Sequence, residues 1–197
     1  MKRKWRWFLL ALATLAVLAL VYVRANWRHN QLAFMEAHTH CIKAAGLALE
    51  QYATQHQGRF PFHPKGYGNA LLLLNEDYFA SLTGPGYDAA PFFKAKIEGT
   101  ELTEEDCGRV YIQGLTKKSN PQIVLLFDKL PTPGGDHCHF PIRLWAPLGR
   151  EVWSVGEMHQ FIRESEWTEF ASKQVDLLVQ EGFDRQDAER LFASKPK

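Results

Sequence analysis

The stretch that decides the fold lies at residues 41–52 and reads CIKAAGLALEQY, followed closely by GRFP at residues 58–61. Its apolar and small side chains recur at steps of three, four and seven, which is the spacing of one face of an α-helix. We therefore predict an amphipathic helix over residues 26–57, ending at the glycine signal of Gly58. Gly46 lies inside this helix, where a glycine weakens the prediction without removing it.

An apolar run precedes this helix and extends over residues 7–23, which are all uncharged. Its length is at the short end of what crosses a hydrocarbon core of about 30 Å. Four basic residues come before it, which predicts a cytoplasmic N-terminus and an extracytoplasmic C-terminal part. We expect residues 1–24 to form an uncleaved signal-anchor that contacts the lipid bilayer through residues 7–23 and holds the chain as a single-pass protein of the inner membrane. The alternative is a cleaved signal peptide. Its best cleavage site lies at residues 23–25 and contains an arginine, which is unfavourable there.

The charge is divided unevenly along the chain. The whole sequence holds 23 basic and 22 acidic residues, and the first 24 residues hold five basic and no acidic ones. Residues 25–197 therefore carry 18 basic and 22 acidic residues, a net charge of −4. A mildly acidic domain does not favour nucleic-acid binding through a broad basic surface, and 46% hydrophobic residues excludes wholesale disorder.

The remaining sequence predicts an α+β domain over residues 25–179 and a C-terminal helical tail over residues 180–197. Residues 83–106 are rich in glycine, proline and charge and are predicted to be mostly loop. The predicted helices and strands are a helix at 69–82 capped by Asn69, an antiparallel hairpin of strands at 109–113 and 123–128, strands near 142–145 and 151–155, a sheet extension at 158–162, and helices at 166–180 and 185–193.

Residues 41–61 resemble a known family in a specific way. They combine a cysteine, a lysine-containing stretch, a helical Gly-Leu-Ala-Leu sequence and a tyrosine. A Gly-x-Phe-Pro motif then follows the end of the predicted helix. This combination resembles the bacterial pilin-like proteins, and in particular the G-like pseudopilins of type II secretion. Residues 109–115 with 124–128 are similar to that family's first sheet hairpin, and residues 149–161, with His159, to its closing strands.

The resemblance extends loosely over residues 8–178 and implies a pilin-like fold. In that fold a long N-terminal helix is half transmembrane and half packed on an antiparallel β-sheet, and here short C-terminal helices would follow. It also implies a structural or interaction protein of the envelope that needs no cofactor and is not an enzyme. Other pilin-like or envelope proteins would be its partners.

One feature of the family is missing at the N-terminus. Pilin precursors carry a glycine before the apolar segment, where a dedicated peptidase cuts, and a glutamate shortly inside it. Residues 4–12 read KWRWFLLAL and contain neither. We therefore expect a pilin-like domain that stays permanently on its anchor.

Three cysteines fit an exported domain with one disulfide and one remaining thiol. Cys107 and Cys138 flank the predicted hairpin, so we favour that pair, which would stabilise the fold by about 3–4 kcal/mol in the chain-entropy model. Three pairings are possible, and spacing does not choose between them.

A cluster of histidines and cysteines offers an alternative function as an anchored metal-binding module. His38 and Cys41 share a helix face, and His137 and His139 would point the same way from an extended segment. These four side chains could form a tetrahedral zinc site, although their spacing matches no established zinc motif. The competing interpretation is a disulfide with surface histidines. Neither Cys41 nor Cys138 has the surroundings of a recognisable catalytic nucleophile, so no enzyme is predicted.

Overall fold

The computed structural model describes residues 14–19, 21–22, 41–133 and 147–193. Residues 14–19 and 21–22 are helical. The further helices and strands of the described residues are α1 (Ile42–Gln55), α2 (Tyr67–Leu71), α3 (Phe79–Thr83), α4 (Ala90–Glu98), β1 (Arg109–Tyr111), β2 (Val124–Asp128), β3 (Thr132–Pro133), β4 (Leu148–Ser154), β5 (His159–Arg163), α5 (Trp167–Gln180) and α6 (Arg185–Phe192), with single 3-10 turns at Glu76–Tyr78 and Glu104–Asp106.

Most of the predicted anchor lies outside the described residues. Within the part that is described, no helix is both long enough and apolar enough to cross a membrane. The predicted strand near 142–145 and residues 26–40 of the helix predicted over residues 26–57 also lie outside the described residues. Among the described residues that helix begins only at Ile42, because Cys41 has an extended backbone, so the prediction of an unbroken helix through residue 41 is wrong.

The five strands form one antiparallel sheet in which β4 is central. Strand β1 pairs with β2, and β2 pairs with β4 through Phe127 opposite Val152. The short β3 pairs with the start of β4 on the same side as β2, while β5 covers the other side of β4. The predicted hairpin and the predicted closing strands are confirmed, with ends that differ by a few residues.

The sheet is buried on both faces, which explains why every residue of β2 is buried. On one face Trp153 of β4 lies against α1, and its register partner Leu126 shares that face. On the other face Phe127 stacks on Phe192 of α6, with ring centroids 4.9 Å apart, and contacts Trp167 of α5 at 5.3 Å. The α+β class is therefore confirmed, with the helix of residues 42–55 on one side of the sheet and the C-terminal helices on the other.

The C-terminal end of α1 agrees with the glycine signal. The Gly58 amide donates to the Ala53 carbonyl at 2.7 Å, and Gly58 has a φ of 82°. A positive φ is the conformation in which glycine closes a helix at least cost.

The single helix predicted at residues 69–82 is wrong. The segment forms α2, a 3-10 turn and α3, and Asn69 lies inside α2 instead of capping it. The Asn69 side chain accepts from the Leu102 amide and donates to the Leu102 carbonyl, each at 3.2 Å. This contact holds Asn69 inside α2, and Asn75 caps a separate turn by accepting from the Asp77 amide at 3.1 Å.

The loop predicted at residues 83–106 is also wrong in part, because it contains α4. Pro91 lies in the first turn of this helix, where its missing N–H costs nothing. Phe92 and Ala95 are buried, whereas Phe93 and Ile97 are exposed. The apolar residues therefore lack the one-sided spacing that a sequence pattern detects.

Candidate functional site

The predicted metal site lies mostly beyond what the structure describes. Cys41 immediately precedes α1 and is half-buried, with an extended backbone. The prediction that places Cys41 on a helix face is therefore wrong. His38, His137 and His139 lie outside the described residues. Among the described side chains, no group of three or more His, Cys, Asp or Glu residues could hold a metal ion. The four-ligand site stays a prediction.

The predicted disulfide also involves a residue outside the description, Cys138. Its proposed partner Cys107 is completely buried, and its Sγ donates to the Thr103 carbonyl at 3.5 Å. Burial raises the pKa of the Cys107 thiol to about 12, so an unpaired Cys107 is a poor nucleophile at neutral pH. Cys41 and Cys107 are not bonded to each other, and the Cys107–Cys138 pair stays a prediction.

The contact between α1 and the sheet is built around Gly46. A Cβ atom on Gly46 would lie 2.3 Å from Cδ2 of Trp153 and 2.4 Å from its Cε2. These distances are far inside van der Waals contact, so α1 reaches the indole only because residue 46 has no side chain. Ile42 and Leu49 on the same helix are completely buried. The glycine that weakened the helix prediction is what allows the helix to meet the sheet.

A partly exposed network of ion pairs joins the second half of α1 to the β1–β2 and β4–β5 connections. Lys117 Nζ lies 2.7 Å from Glu50 Oε2 and 3.7 Å from Glu157 Oε1. The Glu50 side chain is 8% exposed and that of Lys117 is 36% exposed. Burial raises the pKa of the Glu50 carboxyl, and the Lys117 ammonium only partly opposes this. The network therefore fixes α1 to the β1–β2 connection, although burial disfavours the charged form of Glu50.

A second ion pair, closed to solvent, joins β1 to β2. Arg109 Nε donates to Asp128 Oδ1 at 2.8 Å, and both side chains are 1% exposed. Asp128 Oδ2 also accepts from the Glu151 amide at 3.3 Å, and the Glu151 carboxylate lies 3.5 Å from His159 Nε2. Burial raises the pKa of the Asp128 carboxyl against the opposing effect of Arg109.

Because Arg109 and Asp128 are sealed from solvent, they are suited to fixing strand pairing and not to chemistry on a substrate. The sequence reasoning missed this pair. The sequence does contain a sign of it, because Arg109 and Asp128 each lie in a strand whose other residues are apolar or aromatic, and charged residues are rarely buried without a partner.

No protein-family model, no curated protein and no solved structure matches this chain. The resemblance to pilin-like proteins accordingly stays a prediction from the sequence motifs.

Proposed function

We propose that the chain is a membrane-anchored, pilin-like structural or interaction protein of the bacterial envelope, without catalytic activity. The observation that carries the proposal is the close packing of α1 on β4 through Gly46 and Trp153. A helix packed on an antiparallel sheet is the arrangement that the resemblance implies for the part of the long helix outside the membrane.

The apolar run at residues 7–23 supports an anchor upstream of this helix. Its basic N-terminal flank supports a cytoplasmic N-terminus in the inner membrane, with the α+β domain on the other side. Residues 4–12 lack the glycine and glutamate of pilin precursors, which supports a permanent anchor in place of release into a filament.

The outer side of α1 is the surface through which a neighbouring protein would pack. Four of its residues are exposed and form a narrow stripe, namely Leu47, Gln51, Thr54 and Gln55. Their spacing of four, seven and eight places them on one side of the helix. Leu47 is 56% exposed and is the apolar member of this stripe.

Site-specific photocrosslinking in intact cells tests the partner class. A photoreactive residue at position 47 should crosslink to another envelope protein that carries an N-terminal apolar segment, identified by mass spectrometry. The same residue in place of Lys173, which is exposed on α5, serves as the matched control. Equal crosslinking from both positions, or adducts with soluble cytoplasmic proteins, would contradict the proposal.

Fractionation tests the anchor. The full chain should remain in the membrane pellet after an alkaline wash, and protease added outside spheroplasts should digest the domain. Mature protein that begins near Asn26 would refute an uncleaved anchor, and processed protein in sheared surface filaments would refute a permanent one.

A further inference from the structure

A cleft of about 390 Å³ lies between α1 and residues 73–78. Its apolar part is formed by Ala48, Leu73 and Leu74. The volume falls in the range of small-molecule sites, which is about 300–1,000 Å³. The described residues that line this cleft include neither Cys41 nor the Gly46–Trp153 contact.

The described residues that line the cleft include no carboxylate, lysine or arginine. This is notable because 23% of the residues in the chain are charged. An uncharged lining disfavours ionic ligands, because an ion that leaves water would find no counter-charge in the cleft. The polar lining consists of carboxamides, a histidine and tyrosines, which recognise neutral hydrogen-bonding groups.

Three carboxamides converge on the cleft. Gln51 and Gln55 are one helical turn apart on the exposed stripe of α1. Their side chains form no hydrogen bond with any other residue in the described part of the chain, so both amides are available to a ligand. On the opposite wall Asn75 uses its Oδ1 to accept from the Asp77 amide, which leaves its NH₂ group as a donor.

Aromatic rings supply flat apolar surfaces beside these amides. The rings of Tyr52 and His56 stack with centroids 3.7 Å apart and planes at 8°. His56 Nδ1 lies 2.7 Å from the Tyr52 carbonyl and must donate to it, so Nε2 of the neutral ring is an acceptor. Tyr78 is half-buried on the other wall.

We propose that this cleft is a binding site for a neutral saccharide that carries an N-acetyl group. The C–H face of a pyranose ring packs on aromatic side chains, and its hydroxyls exchange hydrogen bonds with amides and with the histidine. An acetamido group adds an N–H and a C=O that match a carboxamide and a methyl group that suits the small apolar patch at Ala48. This inference does not depend on the membrane anchor or on any protein partner.

Ligand-observed saturation-transfer NMR with chitotriose tests the proposal on the full chain. The protein should be kept in a detergent without a sugar headgroup, because such a headgroup would compete for the cleft. Cellotriose is the comparison ligand, since it has the same backbone with hydroxyls in place of the acetamido groups. We expect transfer to chitotriose and an affinity for it at least several-fold higher than for cellotriose.

The double variant Gln51→Ala/Gln55→Ala removes two of the carboxamides from exposed helical positions and should keep the fold. Losing one neutral hydrogen bond typically weakens binding about 3- to 10-fold, so the double variant should lose at least that factor. Gln180→Ala, at the exposed last residue of α5, is the matched control and should bind as the unchanged chain does.

Circular dichroism on each variant shows that it is folded. The absence of transfer to chitotriose with folded protein would overturn the proposal, as would unchanged binding by the double variant. Equal affinity for cellotriose would overturn the assignment of the amides to an N-acetyl group.

Discussion

The substitution Gly46→Ala tests the central contact of the fold, because its two possible effects have opposite signs. In an exposed helix, replacing glycine by alanine stabilises by about 0.5–1 kcal/mol. At position 46 the added methyl group meets the indole of Trp153 instead, and the packing cost must be set against that gain.

The magnitude follows from the geometry. The new Cβ would lie 2.3 Å from Cδ2 of Trp153, whereas non-bonded carbon atoms prefer about 3.5–4.0 Å. Helix α1 or the indole must therefore move by more than about 1 Å in a core that is buried on both sides. Overpacking of this kind costs about 1–3 kcal/mol. Subtracting the gain in helix propensity leaves a net loss between about 0 and 2.5 kcal/mol, and because the added Cβ lies so far inside contact distance we expect about 1–2 kcal/mol.

Urea and thermal unfolding of the full chain, followed by circular dichroism, measure this loss. For a chain of this size 1 kcal/mol corresponds to about 2–4 °C, so the midpoint should fall by about 2–8 °C. Leu47→Ala is the matched control, since it places the same residue at the next position, where the native side chain is 56% exposed. Its effect should stay within about 0.5 kcal/mol.

A double-mutant cycle identifies the cause. In a Trp153→Leu background the indole is gone, and Gly46→Ala should become neutral or stabilising. The coupling free energy should then be of the order of 1–2 kcal/mol. If Gly46→Ala stabilised the unaltered chain, or if its cost were the same without the indole, the argument for a glycine-dependent contact would be refuted.

Three further outcomes follow from the buried groups. Asp128→Asn removes the buried carboxylate to which Arg109 Nε donates and should cost about 3–5 kcal/mol in urea unfolding at pH 7; a loss below 1 kcal/mol would show that the pair is dispensable. Burial raises the pKa of Glu50 above 4.5, so the native state binds its proton more tightly and the free energy of unfolding should fall as pH rises from about 4.5 through the native pKa. Glu50→Gln should flatten this part of the pH profile, and an unchanged slope would contradict the assignment. Phe192→Ala removes the ring stacked on Phe127 and should cost about 3–5 kcal/mol in thermal unfolding; no change would mean that α6 does not contribute to the core.

The elements that the sequence predicted correctly are those whose signal is local. Helices α1 and α5 bury one face, so their apolar residues recur at helical spacing. Strands β1 and β2 are β-branched or apolar runs separated by a polar turn. For these segments the neighbouring residues along the chain carry enough information to define the structure.

The wrong predictions of secondary structure occur where contacts between residues far apart in the sequence determine the local structure. Asn69 does not cap a helix, because from inside α2 its side chain binds the backbone of Leu102, 33 positions away. No spacing within residues 69–82 encodes that contact. Helix α4 was missed because two of its apolar side chains, Phe93 and Ile97, remain exposed, which removes the amphipathic pattern.

The charged network was missed for the same reason. Glu50 and Lys117 are 67 positions apart, and Arg109 and Asp128 are 19 apart, so neither pair has a local signature. An isolated charged residue in an apolar strand indicates that a partner is needed and does not identify it. The predicted histidine and cysteine site follows only from local spacing, and most of it lies outside the described residues.

The two sides of helix α1 have different roles, and the surfaces proposed for a protein partner and for a saccharide share Gln51 and Gln55 on the side away from the sheet. The side that includes Gly46 is committed to the sheet, where the indole of Trp153 leaves no space for a side chain. The exposed stripe that begins at Leu47 and includes Gln51 takes no part in that contact. Substitutions along the stripe therefore change what the helix can bind while leaving the contact that holds it, whereas a substitution at position 46 acts on the fold itself. A loss of saccharide or protein binding caused by a stripe variant of unchanged stability consequently reports on recognition and not on unfolding.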